Sequence, residues 1–218
     1  NLDLNTRRRV GYHAYSMTTL RKFIDNCNID ADVAYGEPMS AHTTFRIGGP
    51  ADAFVRPRTA EALSVLLAAA RERGIPVAVI GGGANLLVAD AGVRGVVAST
   101  ELLRGSSVDG ETLRAEAGLP VVGLVRAALD AGLSGLEFAA GLPGSVGGAA
   151  YMNARCYDRE FADVMSTIEY LEPTGFSLAR TTIERGSWTY KRTPFMAGGA
   201  LAGAVIVEAS FRLVPAAP

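Results

Sequence analysis

Glycine placement constrains this chain more than any other feature. Gly48-Gly49, Gly81-Gly82-Gly83 and the stretch from Gly135 to Gly148 interrupt runs of apolar, element-forming sequence. A residue without a Cβ weakens the interior of a helix or strand, so such clusters mark loops where bare main chain turns sharply or approaches something closely. The 25 glycines among 218 residues are about 11% of the chain, against an average near 7%, and the excess is concentrated in these loops. Only short helices and strands fit between them.

Leu20, Phe23, Ile24 and Cys27 have helical spacing, which predicts a helix over 18–27 followed by a linker. Residues 52–57 alternate like a strand, and Thr59 caps a helix that runs to Gly74. A buried strand is expected over 76–80, then strands over 86–88 and 93–99 with Asp90-Ala91-Gly92 as the turn between them. Asp109-Gly110 centres a hairpin of 102–108 and 112–117, and 121–131 reads as a helix capped by Gly132. A long loop, 135–148, precedes strands over 166–171, 176–182 and 203–213, with a Trp/Tyr segment, 188–195, between the last two. The expectation is an α+β chain: an N-terminal helix and linker over 1–39, one lobe over 40–99 and a second over 100–218.

Charge and cysteine use narrow the partners. With 21 Lys+Arg against 22 Asp+Glu the formal net charge is -1, too weak a field to argue for nucleic acid or a membrane surface. The longest apolar runs, 77–80 and 202–207, fall far short of the roughly 20 residues that cross a bilayer. A small neutral-to-anionic ligand is expected instead. Arg7-Arg8-Arg9 is not followed by the apolar region of a secretory signal. Cys27 and Cys156 stand far apart with no histidine nearby, so no metal site is expected and a reducing cytoplasm is.

Three loops carry the chemistry. Val77-Ala-Val-Ile-Gly81-Gly82-Gly83-Ala84-Asn85-Leu86-Leu87 runs from a strand into three glycines, which lets backbone N–H groups converge on an anionic point such as a diphosphate. Leu86 stands where a dinucleotide fingerprint needs its third glycine, and no Gly-Lys-Ser/Thr follows, so neither a Rossmann nor a Walker A loop is present. A flexible hairpin turn is the competing reading. Thr43-Thr44-Phe45-Arg46-Ile47-Gly48-Gly49-Pro50 places an arginine, suited to bidentate phosphate contact, before a tight turn; taken alone, such an arginine is more often a solvated surface charge. The segment 135–148 is too apolar for an exposed linker and too rich in glycine for a regular element, as expected of a loop wrapping a flat, buried ligand. Ser145 is not a hydrolase nucleophile, because Pro143 occupies the leading glycine position and no histidine lies downstream.

These three loops, taken in order with Ala51-Asp52 and Met152-Asn153-Ala154, resemble the UDP-N-acetylenolpyruvoylglucosamine reductase (MurB) family over about residues 36–214. The resemblance implies a two-lobed FAD-binding fold of the vanillyl-alcohol oxidase type (PCMH-like), with FAD held non-covalently and NADPH as co-substrate. It implies reduction of UDP-N-acetylglucosamine-enolpyruvate to UDP-N-acetylmuramate for peptidoglycan synthesis, the partners being a UDP-sugar and NADPH. Carried over by residue, Arg46, Gly81, Gly82, Gly83, Ala84, Asn85, Leu86, Ala117, Gly118, Gly141, Pro143, Gly144, Ser145, Gly147 and Gly148 line FAD. Asn153 and Tyr190 contact substrate, and Lys191 and Arg192 are the catalytic candidates.

The sequence departs from the family at two places. The family's aromatic-Gly-Tyr-Arg-x-Ser motif falls on Trp188-Thr189-Tyr190-Lys191-Arg192-Thr193, with lysine at the arginine position and threonine at the serine. Lysine supplies a point charge without the planar fork of a guanidinium, so either Lys191 acts or Arg192 turns inward to replace it. The resemblance also implies a third lobe, bearing a proton-donating serine and a glutamate, beyond the strand at 203–213. No such lobe lies within the 218 residues, so a missing or separate substrate lobe is expected. A flavin-binding module without reductase activity and a different FAD oxidoreductase on the same fold are the alternatives.

Overall fold

A computed structural model describes residues 15–217; the Arg7-Arg8-Arg9 run lies outside them. The chain divides after Ser99 into two compact units. Among the described residues no helix is long and apolar enough to cross a membrane.

The first unit begins with α1 (Met17–Cys27), whose N-cap Ser16 accepts a hydrogen bond from the Thr19 N–H at 3.1 Å. The helix stops at Asn28, which takes a left-handed conformation, and buries Leu20, Phe23 and Ile24. The expected linker is instead a strand, β1 (Ala31–Pro38), antiparallel to β2 (Pro50–Pro57) with Val33 opposite Val55. It is an edge strand in which few side chains are fully covered, so it lacks the apolar alternation that marks a strand in sequence. Thr59 caps α2 (Ala60–Glu72) as expected, accepting from the Ala62 N–H at 3.1 Å.

β3 (Val77–Ile80) and β4 (Val93–Ser99) complete a sheet of order β1-β2-β4-β3, in which β2, β4 and β3 run parallel. The strand read as buried, β3, therefore lies at an edge, while β2 and β4 occupy the two interior positions. No strand forms over 86–88. Parallel neighbours need a connection that returns to the far end of the sheet, and residues 81–92 make that crossover. The glycine triplet thus sits at the carboxyl end of a parallel strand, the end at which α/β sheets bind ligands.

The second unit opens with a hairpin, β5 (Ser106–Asp109) and β6 (Thr112–Glu116), turned by Gly110 at a φ of 56°. Then follow α3 (Val121–Asp130), β7 (Leu133–Ser134), α4 (Val146–Met152), β8 (Arg155–Cys156) and β9 (Arg159–Glu160). β10 (Met165–Leu171), β11 (Leu178–Thr182), β12 (Val205–Arg212) and β13 (Val214–Pro215) end the chain. Five strands form an antiparallel sheet of order β11-β10-β12-β6-β5. Helices α3 and α4 cover it through Val121, Leu124, Val146 and Ala150. Phe138, Phe161 and Phe211 pack edge to face in the same core, at centroid separations of 6.1 and 5.8 Å.

Helix α4 was not expected, because its first turn is the Gly147-Gly148 end of the supposed loop. Propensity argues against a helix there, and tertiary packing overrides it.

Candidate functional site

In the first unit the two glycine-bearing segments are tied together. The Thr44 N–H donates to the Gly83 carbonyl at 3.2 Å, and a Cβ placed on Gly83 would lie 1.9 Å from the His42 carbonyl oxygen. Glycine at 83 is therefore demanded by backbone meeting backbone within the protein. Gly82 and Asn85 stay exposed, while Gly81, Ala84 and Leu86 are half-buried. Arg46 is exposed on a turn closed by its N–H to the Thr43 carbonyl (3.0 Å) and by the Thr43 hydroxyl to the Ile47 carbonyl (2.9 Å). Its φ of 55° is a left-handed conformation unusual for arginine.

His42 anchors the turn from below. Its ring stacks on Phe54 at 4.0 Å, and its Nε2 lies 2.9 Å from the Glu37 carboxylate. Phe45, Ile47 and Leu87, on the same two segments, are large apolar side chains left exposed. Leu87 was expected to line the cofactor, but Phe45 and Ile47 were not singled out from the sequence, although large apolar side chains left exposed on adjoining loops are a signal for a ligand surface. Bare main chain, one guanidinium and apolar side chains make a donor set that fits a diphosphate joined to flat rings.

In the second unit 117–121 and 144–147 are zipped together. Val121 N–H donates to the Gly144 carbonyl (3.0 Å), Val146 N–H to the Leu119 carbonyl (2.9 Å) and Gly147 N–H to the Ala117 carbonyl (2.8 Å). A methyl on Gly147 would lie 2.7 Å from the Ala117 Cβ, and one on Gly118 would lie 1.8 Å from the Thr100 carbonyl oxygen. Ala117, Gly118, Ser145 and Gly147 are buried, so their main chain serves the fold before any ligand. Gly141, Pro143 and Gly148 are exposed, Gly144 is half-buried, and a side chain at Gly141 would meet nothing within 4 Å. Of the glycines expected to line a cofactor, Gly82, Gly141 and Gly148 present bare main chain at the surface.

The remaining candidates collect around two small hairpins, one directly after α4 and the other at 189–192, after β11. Thr189 and Arg192 exchange backbone hydrogen bonds at 3.0 Å, which puts Tyr190 and Lys191 at the tip. Trp188 and Thr193 are buried on either side, and the Thr193 hydroxyl donates to the Tyr151 carbonyl at 3.0 Å. Tyr190 is 58% exposed, and Lys191 and Arg192 are exposed beside it. Asn153, expected to contact substrate, is 1% exposed instead. Its amide oxygen accepts from the Ala162 N–H at 2.9 Å and its amide nitrogen donates to the Thr189 carbonyl at 3.3 Å. It therefore holds the Tyr190 hairpin against the core and reaches no surface.

The other hairpin, β8–β9, brings a cation that the sequence reading missed. The Arg155 guanidinium carbon lies 5.9 Å from the Tyr190 ring centroid and the Lys191 ammonium 5.3 Å from the same centroid. Nothing in the sequence marks that pairing, because the two segments are far apart along the chain.

Comparison with known proteins matches residues 51–178 to the FAD binding domain family. UDP-N-acetylenolpyruvoylglucosamine reductase of Anaeromyxobacter dehalogenans is 44% identical over 179 residues, 82% of this chain and 52% of that protein. The Moorella thermoacetica protein of the same name is 40% identical over 185 residues, 84% of this chain and 59% of its own. The chain thus spans little more than half the length of these relatives. Among solved structures, the Thermus caldophilus UDP-N-acetylenolpyruvylglucosamine reductase (MurB) aligns with a TM-score of 0.69 and 28% identity, covering 87% of this chain and 64% of that one. A solvent-stable cholesterol oxidase, at 17% identity and a TM-score of 0.63, shares the fold alone.

Proposed function

Because the chain belongs to the FAD binding domain family, and within it to the UDP-N-acetylenolpyruvoylglucosamine reductases, we propose that it is the flavin-binding part of such a reductase. The reaction is NADPH-dependent reduction of UDP-N-acetylglucosamine-enolpyruvate to UDP-N-acetylmuramate, in the cytoplasm, for peptidoglycan synthesis. The observation that carries this reading is the loop closing β3. Protein packing fixes Gly83 against the His42–Thr44 main chain, which leads into the Arg46 turn, and Gly82 and Asn85 remain at the surface.

When bound, FAD supplies hydride transfer between NADPH and the enolpyruvyl double bond. The chain's own residues hold and orient. The 81–85 main chain and Arg46 take the diphosphate, and Phe45, Ile47 and Leu87 cover apolar ring surface. Lys191 places a positive charge where negative charge develops on the reduced substrate, a task of electrostatic preorganisation. The proton donor and the residues gripping the UDP moiety belong to a further lobe of the whole enzyme. A flavin-binding module without reductase activity is the second reading, favoured by lysine in place of the family's arginine at 191.

Two measurements test these readings. The protein should carry flavin that heat or acid releases, and Gly82→Val should weaken FAD binding by at least about tenfold, or about 1.4 kcal/mol, without unfolding the chain. Unchanged flavin affinity in that variant would place the diphosphate elsewhere. NADPH oxidation that accelerates with the enolpyruvyl substrate supports the reductase, whereas slow, substrate-independent oxidation supports the bare module.

A further inference from the structure

Between Asp130 and Arg155 the sequence holds a single charged residue, Glu137, set in the apolar, glycine-rich stretch that leads from β7 to α4. Flavin binding does not by itself call for an acid there, because a carboxylate repels an anionic diphosphate. The Glu137 carboxylate is used within the protein instead, turned back along its own chain. One of its oxygens accepts from the Ser134 hydroxyl at 2.7 Å, and the Gly135 N–H donates to both, at 3.1 and 2.9 Å.

Gly135 is a residue that needs holding. Its φ of 132° is a conformation that glycine alone adopts readily, and a Cβ there would press on the Leu213 side chain at 3.2 Å. On one side of it Ser134 is fixed opposite Val214 in the β7–β13 pair, and at the far end of the segment the Gly144 carbonyl accepts from the Val121 N–H at 3.0 Å. In between, main-chain bonds close within the segment, from Ala139 to Leu136 (2.9 Å), Ala140 to Glu137 (3.1 Å) and Leu142 to Ala139 (3.0 Å). Rotation at Gly135 therefore aims everything that follows it, including the exposed Gly141.

The surroundings of Glu137 favour its charged form. Its carboxyl pKa is held below the ordinary 4.5, first by the Ser134 hydroxyl and then by its own main chain, with the Gly135 N–H and Arg159 of β9 adding to both and burial opposing. Arg159 also places its guanidinium 5.4 Å from the ring centroid of the adjoining Phe138, which is buried edge to face against Phe161. A charged acceptor makes stronger bonds than a neutral one, so the ionised carboxylate is the form that pins the glycine.

We propose that Glu137 is a positioning residue for the cofactor: it locks Gly135 and so fixes the path of residues 136–143, on which Gly141 presents bare main chain to the flavin. The role rests on the flavin reading, and the lock itself on the hydrogen bonds.

Glu137→Ala and Glu137→Gln, made in the whole 218-residue chain, test it. The glutamine amide oxygen still accepts from Ser134 and Gly135, whereas alanine offers no acceptor. Without flavin, hydrogen exchange over 133–143 should be at least about tenfold faster in Glu137→Ala and near the parent rate in Glu137→Gln. FAD affinity, read from quenching of flavin fluorescence, should fall at least about tenfold in Glu137→Ala and return to within about threefold of the parent in Glu137→Gln. A lowered carboxyl pKa gives a contribution that is present above the ordinary value and is lost as pH falls through the folded one, so the margin of the parent over Glu137→Ala should shrink below pH 4.5. Ser134→Ala removes one bond to the carboxylate; it should show both effects in weaker form and serves if Glu137→Ala does not fold. Unchanged exchange in Glu137→Ala overturns the lock, and faster exchange with unchanged FAD affinity overturns the positioning role while leaving the flavin reading intact. A parent chain that takes up no FAD sinks the flavin reading and the positioning role with it.

Discussion

Glu208 has surroundings that penalise a charge. On β12 it stands directly opposite Glu169 of β10 on one side and Glu116 of β6 on the other, so three carboxylates line up across neighbouring strands. Arg180 pairs with Glu169, and Glu116 accepts from the Gly105 N–H at 2.5 Å. Burial, and then Glu169, raises the Glu208 pKa above the ordinary 4.5, with Glu116 adding to it and Arg114 and Arg180 opposing. A raised carboxyl pKa favours the folded state fully below the unfolded value, and that contribution disappears as pH rises through the folded value. Glu208→Gln should therefore stabilise the protein at pH 7 by on the order of 0.5 kcal/mol, as removal of a like-charge cross-strand pair does. The gain should shrink as pH falls toward 4.5, which urea melts at several pH values would detect; a gain that grows on acidification contradicts the account. None of this was legible in the sequence. Each glutamate looks like an ordinary polar position on a strand, and only strand register sets the three side by side.

At the scale of elements, α4 and the hairpins behind it act as one unit with Asn153 as its joint. The left-handed φ of 43° at Asn153 ends the helix, while its amide bridges the Ala162 N–H and the Thr189 carbonyl. Asn153→Ala would strand the buried Ala162 N–H, release the Thr189 carbonyl and place alanine in a conformation it avoids, at a cost of about 3 kcal/mol in a thermal or chemical melt. Retained stability would mean that water replaces the amide. Elements with strong local signals emerged as read: α1, α2, α3, β4 and the hairpin turned by Gly110. Strand β1 and helix α4 did not, the first because an edge strand shows little alternation, the second because its first turn holds two glycines.

Across the whole molecule, the flavin assignment predicts a linkage between ligand and stability. FAD at about 100 times its dissociation constant adds roughly 2.7 kcal/mol to the folded state, which for a chain of this size raises Tm by on the order of 5–10 °C. A melt unaffected by saturating FAD contradicts it. The sequence by itself determined where α1, α2 and α3 start and stop, where the main chain is bare, and which family's loops these are. Those properties are written in spacings of two to four residues and in short runs of glycine. Tertiary structure decided that β3 runs parallel at an edge, so that residues 81–92 become a crossover and not a hairpin. It also decided that Gly83, Gly118 and Gly147 serve close approach within the protein while Gly82, Gly141 and Gly148 face outward, and that Arg155 meets Tyr190. The reason is that contact between residues far apart along a chain depends on which strands pair and in what register, and no local pattern encodes either.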